Sequence, residues 1–200
     1  MTSSPDSKAG GLRERKKART KHAIQNHALR LFREQGFAET TVEQVAEAAE
    51  VSPSTVFRYF ATKEELVVFD AFDPVIFAAF AEQPPERTLV QAWRGAVLES
   101  IARMSPDDAR HQLDRGRLLL SVPELWGASL HDLKASFGIM LNLSAERTGL
   151  PPTDPKLRAT VGAIVGAMLT VAMDWVNEPT PEVFAGLEQS LTYLDEGLVR

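Results

Sequence analysis

Residues 40–63 decide the fold at the beginning of the chain and read TTVEQVAEAAEVSPSTVFRYFATK. The first half of this stretch repeats small apolar side chains at the spacing of a single helical face: Val42, Val45, Ala46 and Ala49. Such a repeat predicts a short helix that buries one face. The helix start carries a capping-box pattern, in which a threonine precedes an acid or amide by three positions. Two registers fit this pattern, Thr40 with Glu43 and Thr41 with Gln44.

A second helix follows after a turn of about three residues. Ser52 is a good N-cap, and Pro53 suits the first helical turn, where its missing N–H group costs no hydrogen bond. Val56 and Phe60 are spaced to point together into the core. Two helices joined by so short a turn form a helix-turn-helix, whose second helix enters the major groove of DNA. The stretch therefore predicts a recognition helix.

The exposed face of the predicted recognition helix carries groups that can reach base edges or phosphates. These groups are hydroxyls and one guanidinium, from Ser54, Thr55, Arg58 and Tyr59. An N-cap, a prolyl first turn and hydroxyls also occur on helices that never meet DNA. The residues alone therefore leave both DNA binding and an ordinary structural role open.

The stretch resembles the DNA-binding signature of the TetR family of one-component bacterial transcriptional regulators. The resemblance covers residues 13–66, and its upstream positions are Ala28, Leu29, Leu31, Phe32, Gly36, Phe37 and Thr41. Glu50 stands where the turn usually carries glycine, so we expect it to adopt a left-handed conformation at a cost of about 1 kcal/mol. Phe57 stands where many members have a tyrosine that contacts phosphate.

The resemblance implies an all-α protein with an N-terminal three-helix helix-turn-helix DNA-binding domain and a larger helical ligand-binding and dimerisation domain. We expect the DNA-binding set to be Thr41, Ser52, Pro53, Ser54, Thr55, Phe57, Arg58, Tyr59 and Lys63. Thr41, at a helix start, would bind phosphate, and Lys63 would do the same by its match to the family position.

Composition is that of an ordinary soluble protein, with 44% hydrophobic and 24% charged residues. Cysteine is absent, which excludes disulfides and thiolate chemistry and agrees with a reducing cytoplasm. The net charge of −5 is unevenly spread, because residues 1–63 hold 11 Lys and Arg against 7 Asp and Glu, whereas residues 64–200 hold 11 against 20. The basic end of the chain is the predicted DNA-binding end.

The chain before the signature is predicted to begin with a disordered tail, residues 1–11, and to continue as the DNA-binding domain, residues 12–61. A basic cluster opens this domain: Arg13, Arg15, Lys16, Lys17, Arg19 and Lys21, opposed only by Glu14. Cations at the positive end of a helix dipole are unfavourable, so the cluster favours an anionic partner such as the phosphate backbone. A solvated helix start is the alternative interpretation.

The remaining residues, 62–200, predict a helical ligand-binding and dimerisation domain without strands or internal repeats. We expect a helix from Thr62 that Pro74 kinks or interrupts, and further helices over residues 88–104, 106–120, 123–148 and 181–198. Residues 160–173 form an uncharged run that is short for a membrane span. The family resemblance implies a homodimer through residues 156–198, and a palindromic operator also requires a two-fold dimer. Plain intramolecular core is the competing account of these apolar faces.

The sequence contains no catalytic constellation, phosphate loop, dinucleotide fingerprint or metal-binding motif, so we expect no enzyme, cofactor or metal. Large apolar side chains of the middle helices, with one arginine, are the candidate effector pocket: Trp93, Arg117, Leu118, Trp126, Phe137, Met140 and Trp175. Each apolar one, taken singly, is also explained as core. The segments at 57–60 and 117–125 resemble an actinobacterial branch associated with acyl-CoA-like ligands, and Arg115 or Arg117 could meet a polar head.

These observations predict a cytoplasmic, dimeric, ligand-responsive repressor that leaves a palindromic operator when an apolar or acyl-CoA-like effector binds, with no membrane association. Two alternatives stay open. The chain could be a helical small-molecule or lipid carrier whose basic segment is incidental, or a protein-interaction module whose helix-turn-helix contacts another protein.

Overall fold

The computed structural model describes residues 5–180 and 182–197, with side chains described for residues 16–180 and 185–197. Over these ranges the chain forms ten α-helices and no strand, which confirms the predicted all-α class. It divides into two compact units, Met1–Phe69 and Asp70–Arg200.

The first unit contains four helices: α1 (Pro5–Gln35), α2 (Val42–Ala48), α3 (Pro53–Tyr59) and α4 (Glu65–Val68). The second half of α1 packs against α2 and α4, and α2 packs against α3. Their shared core is apolar and fully buried: Ile24, Ala28, Leu29, Phe32, Val45, Ala46, Val56, Phe60, Leu66, Val67 and Val68. The unit therefore has its own core, built around the second half of α1.

Helix α1 is longer than expected from the sequence. It begins at Pro5, so residues 5–11 are helical where a disordered tail is predicted, and residues 1–4 lie outside the described residues. The basic cluster therefore lies inside α1, and the expected conflict with the positive end of the helix dipole is wrong. The Leu, Arg, Glu, Lys and Ala residues that follow Gly11 have high helix propensity. The composition of residues 1–11 by itself predicts disorder and does not show that a strongly helical segment follows.

The turn between α2 and α3 confirms the expectation for Glu50, whose φ is +54°. Around it, the Glu50 N–H donates to Glu47 O at 3.0 Å, and the Val51 N–H donates to Ala46 O at 2.9 Å. These two bonds close the end of α2 and fix the direction in which α3 begins. A glycine would reach this left-handed conformation without steric cost, whereas Glu50 does not.

The predicted single helix from Thr62 to Pro74 is wrong, because α4 ends at Val68 and α5 begins at Asp73. Pro74 lies in the first turn of α5, where it opens a helix instead of kinking one. The Asp70 carboxylate accepts the Phe72 N–H at 2.8 Å, a local bond that favours a turn over helix. The compact units divide within this break, whereas the predicted domain boundary follows residue 61.

The second unit contains α5 (Asp73–Ala81), α6 (Leu89–Ala102), α7 (Pro106–Ser121), α8 (Pro123–Thr148), α9 (Pro155–Asn177) and α10 (Glu182–Glu196). Its core surrounds Trp93, which is fully buried, stacks on Phe80 with ring centroids 4.0 Å apart, and donates its indole N–H to Ser144 Oγ at 3.0 Å. The buried residues from α5, α6, α8, α9 and α10 join this cluster.

Helix α9 is 23 residues long and, by length and composition alone, apolar enough to cross a membrane. Only 17% of its most apolar window is buried within the chain. Helix α9 therefore extends beyond the uncharged run at 160–173 at both ends. Its exposed side includes Leu169 and Met173, which are 44% and 38% exposed.

Candidate nucleic-acid interface

Helix α3 is anchored to the first unit by its buried side. Val56 and the C-cap residue Phe60 are each 1% exposed, and the Phe60 ring meets Phe69 edge-on at 6.1 Å between centroids. Val56 and Phe60 are four residues apart and therefore lie on the same face of the helix. The opposite face of this seven-residue helix is directed away from the core.

The face of α3 opposite the anchors presents Ser54, Phe57 and Arg58 to solvent, while Thr55 and Tyr59 are half-buried. The Arg58 guanidinium carbon lies 5.3 Å from the Tyr59 ring centroid, so the aromatic ring supports the cation. A guanidinium can bond guanine O6 and N7 together, and an exposed phenyl ring can contact a thymine methyl group. The face thus carries side chains suited to two different kinds of base contact.

Ser52 caps α3, as expected from the sequence. Its hydroxyl accepts the Thr55 N–H at 3.2 Å and lies 2.9 Å from the hydroxyls of both Ser54 and Thr55. Pro53 follows in the first turn. The three hydroxyls form one cluster at the start of α3, in which Ser52 accepts a backbone N–H and Ser54 is exposed.

Thr41 caps α2 in a complete capping box, which decides between the two registers that the sequence allowed. Its hydroxyl accepts the Gln44 N–H at 3.2 Å, while the Gln44 side chain accepts the Thr41 N–H at 2.8 Å. Thr40 is instead buried and donates to Gly36 O at 2.7 Å. The Gln35 amide donates to both Thr40 Oγ1 and Gln44 Oε1. Thr41 is therefore exposed and rigidly held.

Lys63 has a defined position between α1 and α2. Its ammonium donates to Ala38 O at 3.2 Å and lies 4.4 Å from the centroid of the Phe37 ring. An ammonium carries three donors, so this position leaves others free for an anion. The carbonyl and the ring hold the cation in place before any partner arrives.

Two polar residues connect α1 to the end of α4: Gln25, which sequence reasoning missed, and Lys21, which it placed only in the basic cluster. The Lys21 ammonium lies 3.2 Å from the Phe69 ring centroid and 5.1 Å from that of Phe60, and the buried Gln25 amide donates to Phe69 O at 2.8 Å. Their sequence signal is polarity beside the apolar stripe, since Gln25 directly follows Ile24. Lys21 is thus engaged inside the unit.

The residues predicted to line an effector pocket have different environments in the second unit. Trp93, Leu118 and Met140 are buried and Phe137 packs against the same core, whereas Trp126 is 45% exposed. Trp175 is half-buried, and the exposed Arg117 directs its Nε–H to Val176 O at 3.4 Å. Two open grooves, along α10 and beside the end of α8, are lined by other residues. The pocket residues stay a prediction.

Arg115, the other arginine considered for a polar head, is paired inside the second unit. Its guanidinium contacts the Asp70 carboxylate and bonds Gln112 Oε1 at 3.0 Å. Burial raises the pKa of nearby Asp73, the charge of Asp70 adds to the rise, and a hydrogen bond from Ser136 opposes it. Among the described residues, no group of three His, Asp or Glu side chains could hold a metal ion.

Comparison with known proteins agrees with both parts of this arrangement. Residues 24–68 match the family described as bacterial regulatory proteins, tetR family, and residues 87–199 match the MftR C-terminal domain. The HTH-type transcriptional regulator TcmR of Streptomyces glaucescens is 35% identical over 82% of this chain and 76% of its own. MftR of Mycobacterium tuberculosis, named as a mycofactocin biosynthesis transcriptional regulator, is 25% identical over 93% of this chain and 94% of its own.

Solved structures share the fold over the length of the chain. FadR of Thermus thermophilus, a TetR family transcriptional repressor in complex with lauroyl-CoA, has a TM-score of 0.58 and 25% identity, covering 90% of this chain and 96% of its own. FadR of Bacillus subtilis, in complex with stearoyl-CoA, has a TM-score of 0.61 and 20% identity, covering 89% and 99%. With the helix-turn-helix geometry and these matches together, the chain belongs to the TetR family of bacterial transcriptional regulators.

Proposed function

We propose that the protein is a cytoplasmic, homodimeric repressor that binds a palindromic DNA operator and is released by an apolar or acyl-CoA-like effector. It is not an enzyme, and it has no membrane partner. The observation that carries the proposal is the face of α3, where Ser54, Phe57 and Arg58 are exposed while Val56 anchors the helix. An exposed face whose side chains can contact base edges is suited to the major groove.

The predicted phosphate contacts lie on either side of this reading face in the chain. Thr41 and Lys63 are held by the capping box and by Ala38 O, so they would lose little conformational entropy when they bind phosphate. Phosphate contacts set the orientation of a protein on the duplex, while base contacts set the sequence preference. We expect Arg58 and Phe57 to provide most of the preference.

A second copy of the chain is the partner that suits α9. Gly162, Gly166, Leu169 and Met173 are exposed and recur at helical spacing along one side of this helix. A Cβ atom added to either glycine would meet nothing within 4 Å in its own chain, so neither glycine is required by packing inside the protomer. An exposed apolar helix can be covered by a lipid bilayer or by protein. The glycines favour close approach of another helix, and the family resemblance favours a second copy.

The proposed effector response rests on population shift. The operator-binding dimer would hold its two α3 helices at a separation that suits successive major grooves, and an effector that prefers another pose would lower operator affinity by its differential affinity for the two poses. Support for an acyl-CoA-like effector comes from the lauroyl-CoA bound by the Thermus FadR. Residues 64–200 carry an excess of acids, 20 against 11 bases, so we expect the apolar tail, rather than the anionic head, to provide the affinity.

Selection of DNA by the purified full-length protein tests this function. A random duplex library should yield a two-fold symmetric sequence, and binding to that sequence should weaken as acyl-CoA is added. A helical lipid carrier would enrich no sequence yet bind the acyl chain. A protein-interaction module would enrich no sequence, and Arg58→Ala would leave its weak binding to DNA unchanged.

A further inference from the structure

The first half of α1 extends beyond the core of the first unit. The helix begins at Pro5, yet the first buried side chain among the described residues is Ile24. At a rise of about 1.5 Å per residue, Lys16 lies about 12 Å along the helix axis from Ile24. Over residues 16–23 the side chains are exposed or half-buried. Residues 16–20 of α1 therefore contribute no buried side chain to the core.

The extension is basic. Lys16, Lys17 and Arg19 are exposed and take part in no ion pair within the part of the chain that the structure describes. Cations three and four positions apart on a helix repel each other, which destabilises it by a few tenths of a kcal/mol per pair, about 0.2–0.5. Such a helix is stabilised when an anionic partner neutralises it.

The extension leaves the core beside the end of the proposed recognition helix. The Lys21 ammonium lies 5.1 Å from the ring of Phe60, which is the C-cap of α3, and 3.2 Å from the ring of Phe69. Lys21 is engaged by these rings, so the unpaired cations among the described residues of the extension are Lys16, Lys17 and Arg19. The basic extension therefore leaves the core near the C-cap of α3, in the same compact unit as the reading face.

From this arrangement we propose that Lys16, Lys17 and Arg19 form a second DNA-binding surface, which contacts the phosphate backbone flanking the base pairs read by α3. The inference rests on the proposed DNA binding and extends it to a sequence-independent contact. A phosphate array requires only positive charge, whereas a helix that lies on a membrane surface also requires an apolar face. Between Leu12 and Ile24 the apolar residues are two alanines, so DNA suits the extension better than lipid.

The test compares two full-length variants with the parent protein. One is K16Q/K17Q/R19Q. The matched control is R103Q/R110Q/K134Q, which removes the same charge from exposed positions in the second unit, at the end of α6, on α7 and on α8. Binding to the selected operator and to a random duplex is measured over a range of salt concentrations, and circular dichroism verifies that all three proteins are folded.

We expect the K16Q/K17Q/R19Q variant to bind both duplexes more weakly by the same factor. Its slope of log affinity against log salt should become shallower by about 0.9 for each phosphate that the variant no longer neutralises, and so by up to about 5 for six phosphates in a dimer. The control should keep the parent slope. A slope that changes no more than that of the control would overturn the inference.

Two further outcomes distinguish this inference from the proposed function and from lipid binding. If the parent does not distinguish operator from random DNA, the proposed function fails, while the slopes on random DNA still decide whether the extension binds phosphate. If vesicles of phosphatidylserine and phosphatidylcholine bind the parent but not the variant, and the DNA slopes are equal, the basic extension binds lipid and the inference is wrong.

Discussion

Replacing Glu50 with glycine should stabilise the first unit, although it removes a side chain. Glu50 has a φ of +54°, in the left-handed region where a residue with a Cβ atom costs about 1–2 kcal/mol. Glycine would remove this cost, but it increases the conformational freedom of the unfolded chain by about 0.5–1 kcal/mol. The net gain in the free energy of unfolding is then about 0.5–1 kcal/mol.

The matched control is Glu43→Gly, which makes the same chemical change in the first turn of α2. Glu43 is exposed, and an acid in the first helical turn is favourable for the helix dipole. Its removal, together with the low helix propensity of glycine, should destabilise the unit by about 1 kcal/mol. The two variants carry the same charge, so changes of opposite sign in the free energy of unfolding would isolate the effect of backbone conformation.

Amide hydrogen exchange is the suitable assay, because all three tryptophans lie in the second unit and their fluorescence would not report on the first. The amides of Val56 and Phe60 are hydrogen-bonded within α3 and belong to buried residues. Their protection should rise by about two- to five-fold in Glu50→Gly and fall in Glu43→Gly. Lower protection in Glu50→Gly would refute the strain argument.

Three further predictions address recognition, assembly and pH. Arg58→Ala should reduce the preference for the selected operator over random DNA by about 1–3 kcal/mol, measured by titration of both duplexes, and an unchanged ratio would contradict base reading by Arg58. Gly166→Leu should weaken the dimer by about tenfold or more in analytical ultracentrifugation, because overpacking costs about 1–3 kcal/mol. The control Gly127→Leu, on α8, should leave the dimer affinity unchanged. Equal effects of the two substitutions would exclude close approach of a second helix at α9. Asp73→Asn should stabilise the second unit at neutral pH. Burial raises the folded-state pKa of Asp73 above its ordinary value of 3.8, so the parent loses stability as the pH rises from 3.8 through the folded-state pKa. The variant should lack this loss when urea unfolding is followed by tryptophan fluorescence at pH 4 and pH 7. If the free energy of unfolding changed equally with pH in the parent and the variant, Asp73 would not be the cause of the loss.

The helix-turn-helix could be predicted from the sequence because every signal in it is local. Ser52 as N-cap and Val56 and Phe60 as anchors follow from residue type and spacing, whereas the left-handed conformation of Glu50 follows from the family resemblance; the structure has each of them. The sequence left the N-cap of α2 open between Thr40 and Thr41. Burial of Thr40 decides it, and burial depends on contacts with α1 that spacing does not contain.

The errors share a physical cause, which is competition between local and longer-range preferences. Pro74 fits the first turn of one helix as well as a break in another, and the Asp70 carboxylate favours the break. The Ser, Pro, Gly and Asp residues near the N-terminus predict disorder, but α1 begins at Pro5 and continues into a segment of high helix propensity. The effector pocket is the least predictable feature. Trp93 and Trp126 are both large and apolar, yet one is fully buried and the other is 45% exposed.

The most direct test of the proposed mode of DNA binding is the spacing between the two half-sites of the selected operator. A two-fold dimer that inserts one α3 into each of two successive major grooves requires half-site centres about 10–10.5 base pairs apart, or a multiple of that. Inserting about five base pairs, half a helical turn, between the half-sites moves one groove to the opposite face of the duplex, so the affinity should fall to that of a single half-site. Unchanged affinity for the lengthened operator would contradict paired recognition by α3.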